Sequence, residues 1–262
     1  MASFQVESGV LIDMASRVTD RVEVITLDTG RLPQETHEVM DAFRERYPSL
    51  RISVQSPDPR ALQELADRHG ANPFYRSVEL RRLCCDVRKV QPLARALRGH
   101  DAWITGLRRD QSATRAQTPV VAEDAAHGGI AKVAPLATWT SAQVWEYVHE
   151  HDVPRHPLYN RGYTSIGCAP CTRPTEPGED ERAGRWWWER EEVKECGLHP
   201  TPEGRPVEAP PPALRATSPG KRGRNASLLS PEHQSATPSV GARLASPSGP
   251  EHQSATPSRR VS

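Results

Sequence analysis

Hydrophobic positions in the first 150 residues switch repeatedly between two periods. Val10, Leu11, Ile12, Met14, Ala15 and Val18 fall at helical spacing. Residues 22–27 (VEVITL) are a short apolar run rich in β-branched side chains, the mark of a strand buried on both faces, and it ends in the turn Asp28-Thr29-Gly30. Residues 35–47 read as an amphipathic helix with Val39, Ala42 and Phe43 on one face. Residues 50–54 read as a second strand, and residues 59–69 as a helix opened by Pro59 and closed by Gly70. A helical pattern over residues 79–98 contains Pro92, which predicts a kink or break. Residues 101–105 (DAWIT) predict a third strand, ending at Gly106, and residues 130–133 a fourth. Residues 141–149 predict a helix with Thr140 or Ser141 as N-cap. After His151 the periodicity gives way to Pro154, Pro157, Gly162, Gly167, Pro170, Pro174 and Pro177, a loop-rich stretch.

Strands alternating with helices at this spacing predict an α/β fold with a mainly parallel sheet flanked by helices in Rossmann-like layers. Ligands of such sheets collect beyond the carboxyl ends of the strands. Two chain segments therefore become candidate site edges: Asp28-Thr29-Gly30, and Gly106-Leu107-Arg108-Arg109, the latter rich in donors suited to phosphate or sulfate.

Composition divides the chain. Every Trp, Tyr, Phe and Cys precedes Pro200, and 11 of the 25 prolines follow it. Residues 201–262 cannot bury enough apolar surface to offset chain entropy and are expected to be a disordered Pro/Ser-rich tail. The tail repeats PEHQSATPS at residues 231–239 and 250–258 without an apolar period, so it reads as duplicated low-complexity linker rather than a solenoid. Eight basic and four acidic residues make the tail +4 and the remainder −3, which does not suit a dedicated nucleic-acid binder. No apolar run is long enough to cross a membrane and no secretory signal is present. The expected location is cytoplasmic, where an odd count of five cysteines points to metal or redox chemistry.

Four cysteines form two close pairs: the vicinal Cys84-Cys85 on a helix, and Cys168-Ala169-Pro170-Cys171 in a Gly/Pro-rich loop. Four thiolates can close a zinc site or hold an iron–sulfur cluster. Adjacent positions reach one small ion awkwardly, while a cubane offers separate iron corners, so the pairing favours a cluster over zinc. Cys196 has no partner nearby in sequence. Lys194 and His199 beside it could make it a nucleophilic thiolate, although taken alone it reads as an ordinary free cysteine. Trp186-Trp187-Trp188 reads as a packing anchor, and His127, His149, His151 and His156 as surface or loop histidines.

Several of these segments together resemble one known family, the assimilatory adenylyl-sulfate (APS) reductases. They are Cys84-Cys85-x-x-Arg88-Lys89-x-x-Pro92-Leu93, Cys168-x-x-Cys171 and Lys194-Glu195-Cys196-Gly197-x-His199. Leu27-Asp28-Thr29-Gly30-Arg31, Trp103-Ile104-Thr105-Gly106 and Arg108-Arg109-Asp110-Gln111-Ser112 join them. The similarity runs from Ser3 to about Pro200, and the order and spacing carry it more than any single motif. The resemblance implies an ATP-pyrophosphatase-like fold and a [4Fe-4S] cluster on Cys84, Cys85, Cys168 and Cys171. It further implies that Cys196 attacks the sulfur of APS to give AMP and an S-sulfocysteine, from which thioredoxin or a similar dithiol releases sulfite. Lys89 would lie between cluster and substrate, Arg182, Arg185 and Arg115 would face the phosphosulfate, and His199 would arrive on a mobile C-terminal segment. Leu27 and Gly106 would make backbone contacts to adenine, and Ser3 would open the phosphate loop. A phosphosulfate carries two negative charges, so a basic surround is what its chemistry requires. Relatives form homo-oligomers.

The strand and helices that the family carries before Ser3 are absent, so the sheet is expected to lack its first strand, and Ser8 stands where an acidic residue is common. The alternatives are a PAPS reductase, whose members lack the two cysteine pairs, a zinc-stabilised nucleotide-binding module, and an inactive fragment.

Overall fold

The computed structural model describes residues 1–190 and 194–199. The expected tail at 201–262, its repeat and the domain end at Pro200 lie outside the described residues. Six α-helices and five strands follow the order α1 (Val6–Val18), β1 (Glu23–Leu27), α2 (Gln34–Arg46), β2 (Arg51–Gln55), α3 (Pro59–His69), α4 (Val78–Cys85), α5 (Gln91–Ala96), β3 (Ala102–Ile104), β4 (Val121–Asp124), β5 (Ile130–Val133) and α6 (Ser141–Glu150). Local chemistry sets the helix starts. Asp58 accepts from the amides of Arg60 and Ala61 at 3.0 Å ahead of Pro59, and Gly70 takes the positive φ that closes α3. Thr140 and Gln143 form a capping box on α6. No helix among the described residues is long and apolar enough to cross a membrane.

The α/β character holds, but the strands form two sheets. β1 and β2 pair in parallel from Glu23↔Arg51 to Leu27↔Gln55. In the other sheet, of order β3-β5-β4, β5 is parallel to β3 and antiparallel to β4. β4 was not expected: Val-Ala-Glu-Asp carries no apolar alternation, and its pairing with β5 comes from the turn at Gly128-Gly129. Between β1 and β3 run Met1 and Ala2. Ala2 N–H donates to Ile25 O at 2.8 Å and bridges Thr26 in parallel, while the Met1 ammonium donates to Ile104 O at 2.8 Å. Two residues make one rung, too few for a ladder, so the sheets remain separate. Burial pushes the Met1 ammonium down to about 6.

From that rung the chain turns sharply into α1. Phe4 adopts a left-handed φ of 54°, a conformation that costs a bulky residue about 1–2 kcal/mol. Its fully buried ring holds it there, packed on Phe43 at 5.4 Å between centroids. One core lies where α1, α2 and α6 meet, through Val10, Ile12, Val39, Phe43, Val144 and Val148. Under it Asp13 accepts from Tyr47 and Tyr147 at 2.9 and 2.7 Å.

The helical run expected over residues 79–98 breaks earlier than Pro92. α4 ends at Cys85, a π-helical turn spans Asp86–Val90, and Pro92 sits in the first turn of α5. Proline lacks an N–H and its ring crowds the carbonyl four residues back, and the wider turn before it relieves both. Arg88 and Lys89 lie on that turn, and both are buried.

Arg108 corrects an expectation. Its segment was read as anion donors, yet Arg108 is 1 % exposed and committed to carboxylates of the protein: Glu7 at 2.9 Å, Glu181 at 2.8 Å and Asp110. Arg109 donates to Thr118 O at 2.9 Å. Burial, then the nearby Glu7, raises the Glu181 carboxyl to about 7. His156 and His127 stand in short turns between elements, as expected, but their rings are shielded. His156 is buried, with Nε2 3.0 Å from Thr36 Oγ1 and Nδ1 accepting from Leu158 N–H. The His127 ring is shielded and pairs with Asp124 at 2.9 Å. A proline-flanked segment hides such burial, because the contacts are made by distant helices. His149 is exposed and His151 half-buried.

Two predictions follow from this packing. Burial pushes His156 down to about 4, so the unfolded chain takes up the extra proton between about pH 4 and pH 6.5. Unfolding stability contributed by this residue is therefore full above about pH 6.5 and falls as pH drops to about 4, by up to about 3 kcal/mol. Denaturant titrations of His156→Gln should show a shallower pH slope in that window. Arg108→Met strands Glu7 and Glu181 without their cation and should lower stability in urea by about 3–5 kcal/mol at pH 8.

Candidate functional site

The two cysteine pairs, 83 residues apart by the numbering of Cys85 and Cys168, meet at one cavity. Cys84 and Cys85 come from the last turn of α4, and Cys168 and Cys171 bracket the 3₁₀ turn Ala169–Cys171. All four are buried and none is in a disulfide. Arg31, Phe74, Arg81, Arg88 and Lys89 complete the lining. No three His, Cys, Asp or Glu side chains among the described residues stand at the spacing of a single metal ion. All four thiols nevertheless line the same cavity.

The cavity wall is cationic. Arg88 donates to Thr29 O at 2.6 Å, and the Thr29 hydroxyl lies 3.3 Å from Cys168 Sγ. Burial opposes the charge on Lys89, but the thiols of Cys168, Cys85 and Cys196 outweigh it and hold this lysine above its ordinary value. Burial likewise pushes the Cys168 thiol up, while Lys89, the Thr29 hydroxyl, Arg185 and Arg88 together bring it below its ordinary value. The other three go the opposite way: burial raises Cys84, takes Cys85 to about 12 and takes Cys171 to about 11. Trp186, the first of the three tryptophans, is the packing anchor expected. It is buried against the cysteines, and the guanidinium carbons of Arg81 and Arg185 each lie 4.7 Å from its ring centroid. The Nε atoms of Arg31, Arg88 and Arg185 and the indole nitrogen of Trp186 are buried without a hydrogen-bond partner. Two of these residues, Arg31 and Arg88, line the cavity, and a buried cationic donor without a partner calls for an acceptor with negative charge.

The described end of the chain, residues 194–199, folds back onto this wall. Cys196 packs against the cysteine cluster and lies within electrostatic reach of Cys85, Lys89, Arg81 and Arg182. Arg81, 0 % exposed, binds Glu189 at 2.7 Å and donates to Glu195 O at 2.5 Å. Arg182 follows three acidic residues, Glu179, Asp180 and Glu181. It is buried and donates to Lys194 O at 3.1 Å. The Glu195 carboxylate reaches Arg115 at 3.1 Å and Arg182 at 3.4 Å. Leu198 packs with Ile25, Leu27 and Trp103, and the His199 ring stacks on Trp103 at 5.7 Å with 11° between planes. Burial, then Lys132, Arg115 and Arg182, holds His199 well below its ordinary value.

Leu27 and Gly106 lie at the carboxyl ends of two parallel-paired strands, and Ser3 precedes α1. Leu27 ends β1, Gly106 follows β3 by two residues, and exposed Ser3 links Ala2 to α1. A Cβ at residue 106 would lie 2.9 Å from Glu7 Cβ, so glycine is what lets α1 approach there. Arg185 lies across Gly167, where any side chain would collide with its guanidinium. Of the candidate residues, Cys84, Cys85, Cys168, Cys171 and Lys89 line one cavity, Cys196 packs beside it, and Glu195 joins Arg115 to Arg182.

The sequence assigns no individual role to Arg81, Thr29, Trp103 or Lys132, although Thr29 and Trp103 fall within segments singled out there. Arg81 had a usable signal, since it sits three and four residues before Cys84 and Cys85 on one helix face. Trp103 and Lys132 had none: they meet His199 only because β3 and β5 pair, Trp103↔Lys132 being partners in that register.

The chain is similar to known proteins in both sequence and fold. The phosphoadenosine phosphosulfate reductase domain, as a sequence family, matches residues 1–174. The adenosine 5'-phosphosulfate reductase of Allochromatium vinosum is 50% identical over 197 residues, 75% of this chain and 76% of that protein. The protein of the same name from Burkholderia cepacia is 53% identical over 180 residues, 69% and 71% of the two chains. The crystal structure of phosphoadenylyl-sulfate (PAPS) reductase from Candida auris, a phosphate complex, superposes with a TM-score of 0.54 at 30% identity, covering 66% of this chain and 81% of that one. By sequence and by fold, the chain belongs to the phosphoadenosine phosphosulfate reductase domain family.

Proposed function

We propose that this protein reduces adenylyl sulfate to sulfite and AMP in sulfate assimilation, with Cys196 as nucleophile. The observation that carries the reading is the convergence of Cys196, Lys89 and two arginines beside a cavity walled by four further cysteines. The relatives named adenosine 5'-phosphosulfate reductase, at 50% and 53% identity, support APS as substrate.

The residues fit a [4Fe-4S] cluster on Cys84, Cys85, Cys168 and Cys171. Four buried thiols line one cavity, and the Nε atoms of Arg31 and Arg88 in its wall are buried without a hydrogen-bond partner. When bound, the cluster supplies negative charge and fixed sulfur acceptors that organise the cationic wall.

The chemistry of the chain's own residues runs as follows. Arg115, Arg182 and Arg185 neutralise the phosphosulfate oxygens that would otherwise repel a thiolate. Lys89, kept protonated among thiols, places a positive charge between the cysteine cavity and Cys196. The Cys196 thiolate attacks the sulfate sulfur. The bond between that sulfur and the oxygen bridging to phosphorus breaks, and AMP leaves with the electron pair. His199, neutral and stacked on Trp103, closes the arm over the strand edge where Leu27, Gly106 and Ser3 would receive the nucleotide. A dithiol such as thioredoxin then attacks the sulfocysteine, releases sulfite and departs as a disulfide, restoring the Cys196 thiol. Access for this second step requires the arm to lift.

The test uses protein purified without oxygen. Cys196→Ser should keep the iron content of the parent and lose sulfite production by roughly a thousandfold or more. With the parent protein, APS and no reductant, peptide mass mapping should find one SO₃ added per chain, on the Cys196 peptide. Turnover surviving the serine substitution would remove Cys196 from the mechanism.

A further inference from the structure

The carboxylate of Glu195 lies where the reductase reading puts the substrate's anion. Its oxygens take Arg115 Nε and Nη2 at 3.1 Å, Arg182 Nη2 at 3.4 Å and the Thr114 hydroxyl at 3.1 Å. Arg115 and Arg182 repel each other: burial and then Arg115 hold Arg182 below its ordinary value, and the Glu195 charge opposes that. Two mutually repelling cations, Arg182 buried and Arg115 half-buried, need an anion between them whether or not substrate is bound. In the folded arm, that anion is the residue adjoining Cys196.

We propose that Glu195 is a positioning residue that holds the phosphosulfate subsite in the ligand-free enzyme and yields it to the incoming substrate. The idea rests on the reductase reading and adds a cost to binding, since APS must displace an internal carboxylate from Arg115 and Arg182. The rest of the arm is held by other contacts. Arg81 grips Glu195 O, Arg182 grips Lys194 O, and Leu198 is buried with Leu27 and Trp103. The side chain can therefore swing away while the backbone keeps Cys196 beside Lys89. The exchange of one carboxylate for the doubly charged phosphosulfate keeps the two arginines paired with an anion at every stage.

A purely supporting role for Glu195 predicts that removing it weakens substrate binding, and a placeholder predicts the reverse. APS should be titrated calorimetrically into cluster-loaded Cys196→Ser protein, with and without Glu195→Gln. Glu195→Gln should bind APS about fivefold to tenfold more tightly, because the fraction of molecules with an open subsite rises. In the enzyme that retains Cys196, the same substitution should lower KM for APS by a similar factor. If Glu195→Gln loses iron, Glu195→Asp serves in its place, with a smaller tightening expected from its shorter reach. Affinity that is unchanged within twofold, or weaker, overturns the proposal and leaves the reductase reading standing. Failure of both proteins to bind APS removes the reductase reading, and the placeholder falls with it.

Discussion

Buried positive charge is the constraint around which this fold is arranged. Arg81, Arg88, Lys89, Arg182 and Arg185 are all withdrawn from water in one region, and charge so placed persists only beside matched negative charge and hydrogen-bond acceptors. The protein supplies part of the match itself. Glu189 pairs with Arg81, Glu195 with Arg115 and Arg182, and the Thr29 and Ile166 carbonyls take Arg88 and Arg185. The remaining match is sulfur: Lys89 is surrounded by the thiols of Cys85, Cys168 and Cys196, and Cys168 is drawn toward its thiolate by the same cations. The cysteine cavity and the Arg115–Arg182 pair are linked electrostatically through Cys196 and Arg185, each within reach of both Lys89 and Arg182.

The backbone features that look irregular serve that unit. The π-turn at Asp86–Val90 shifts Arg88 and Lys89 into the cavity wall that already holds Cys84 and Cys85. The left-handed φ of 42° at Trp186 seats its ring between Arg81 and Arg185. Such departures from regular geometry survive where surrounding packing over-determines them, and Trp186 is fully buried.

The sequence made the cysteine pairs, the terminal Lys-Glu-Cys-Gly-x-His and the strand–turn segments legible because each is a local pattern. Strands β1, β2, β3 and β5 and helices α1, α2, α3 and α6 were equally legible, each carrying its own apolar period and turn residues. What could not be read was set by partners distant in the chain. β4 exists because β5 pairs with it. The two sheets stay apart because Met1 and Ala2 make one rung. His156 is a core residue because Thr36 is 120 positions away and adjacent in space. Arg108 looked like an anion donor until Glu7 and Glu181, also remote in sequence, claimed it. Local composition names the chemistry, and charge pairing across the fold decides which of the charged residues remain available for it.

The claim at the centre of this account is that the cationic wall is completed by an anionic metal–sulfur group on four cysteines. Its most direct test is quantification of iron, acid-labile sulfide and zinc in protein purified without oxygen. The account predicts about four irons and four sulfides per chain and no stoichiometric zinc. One zinc per chain with no iron or sulfide would contradict it.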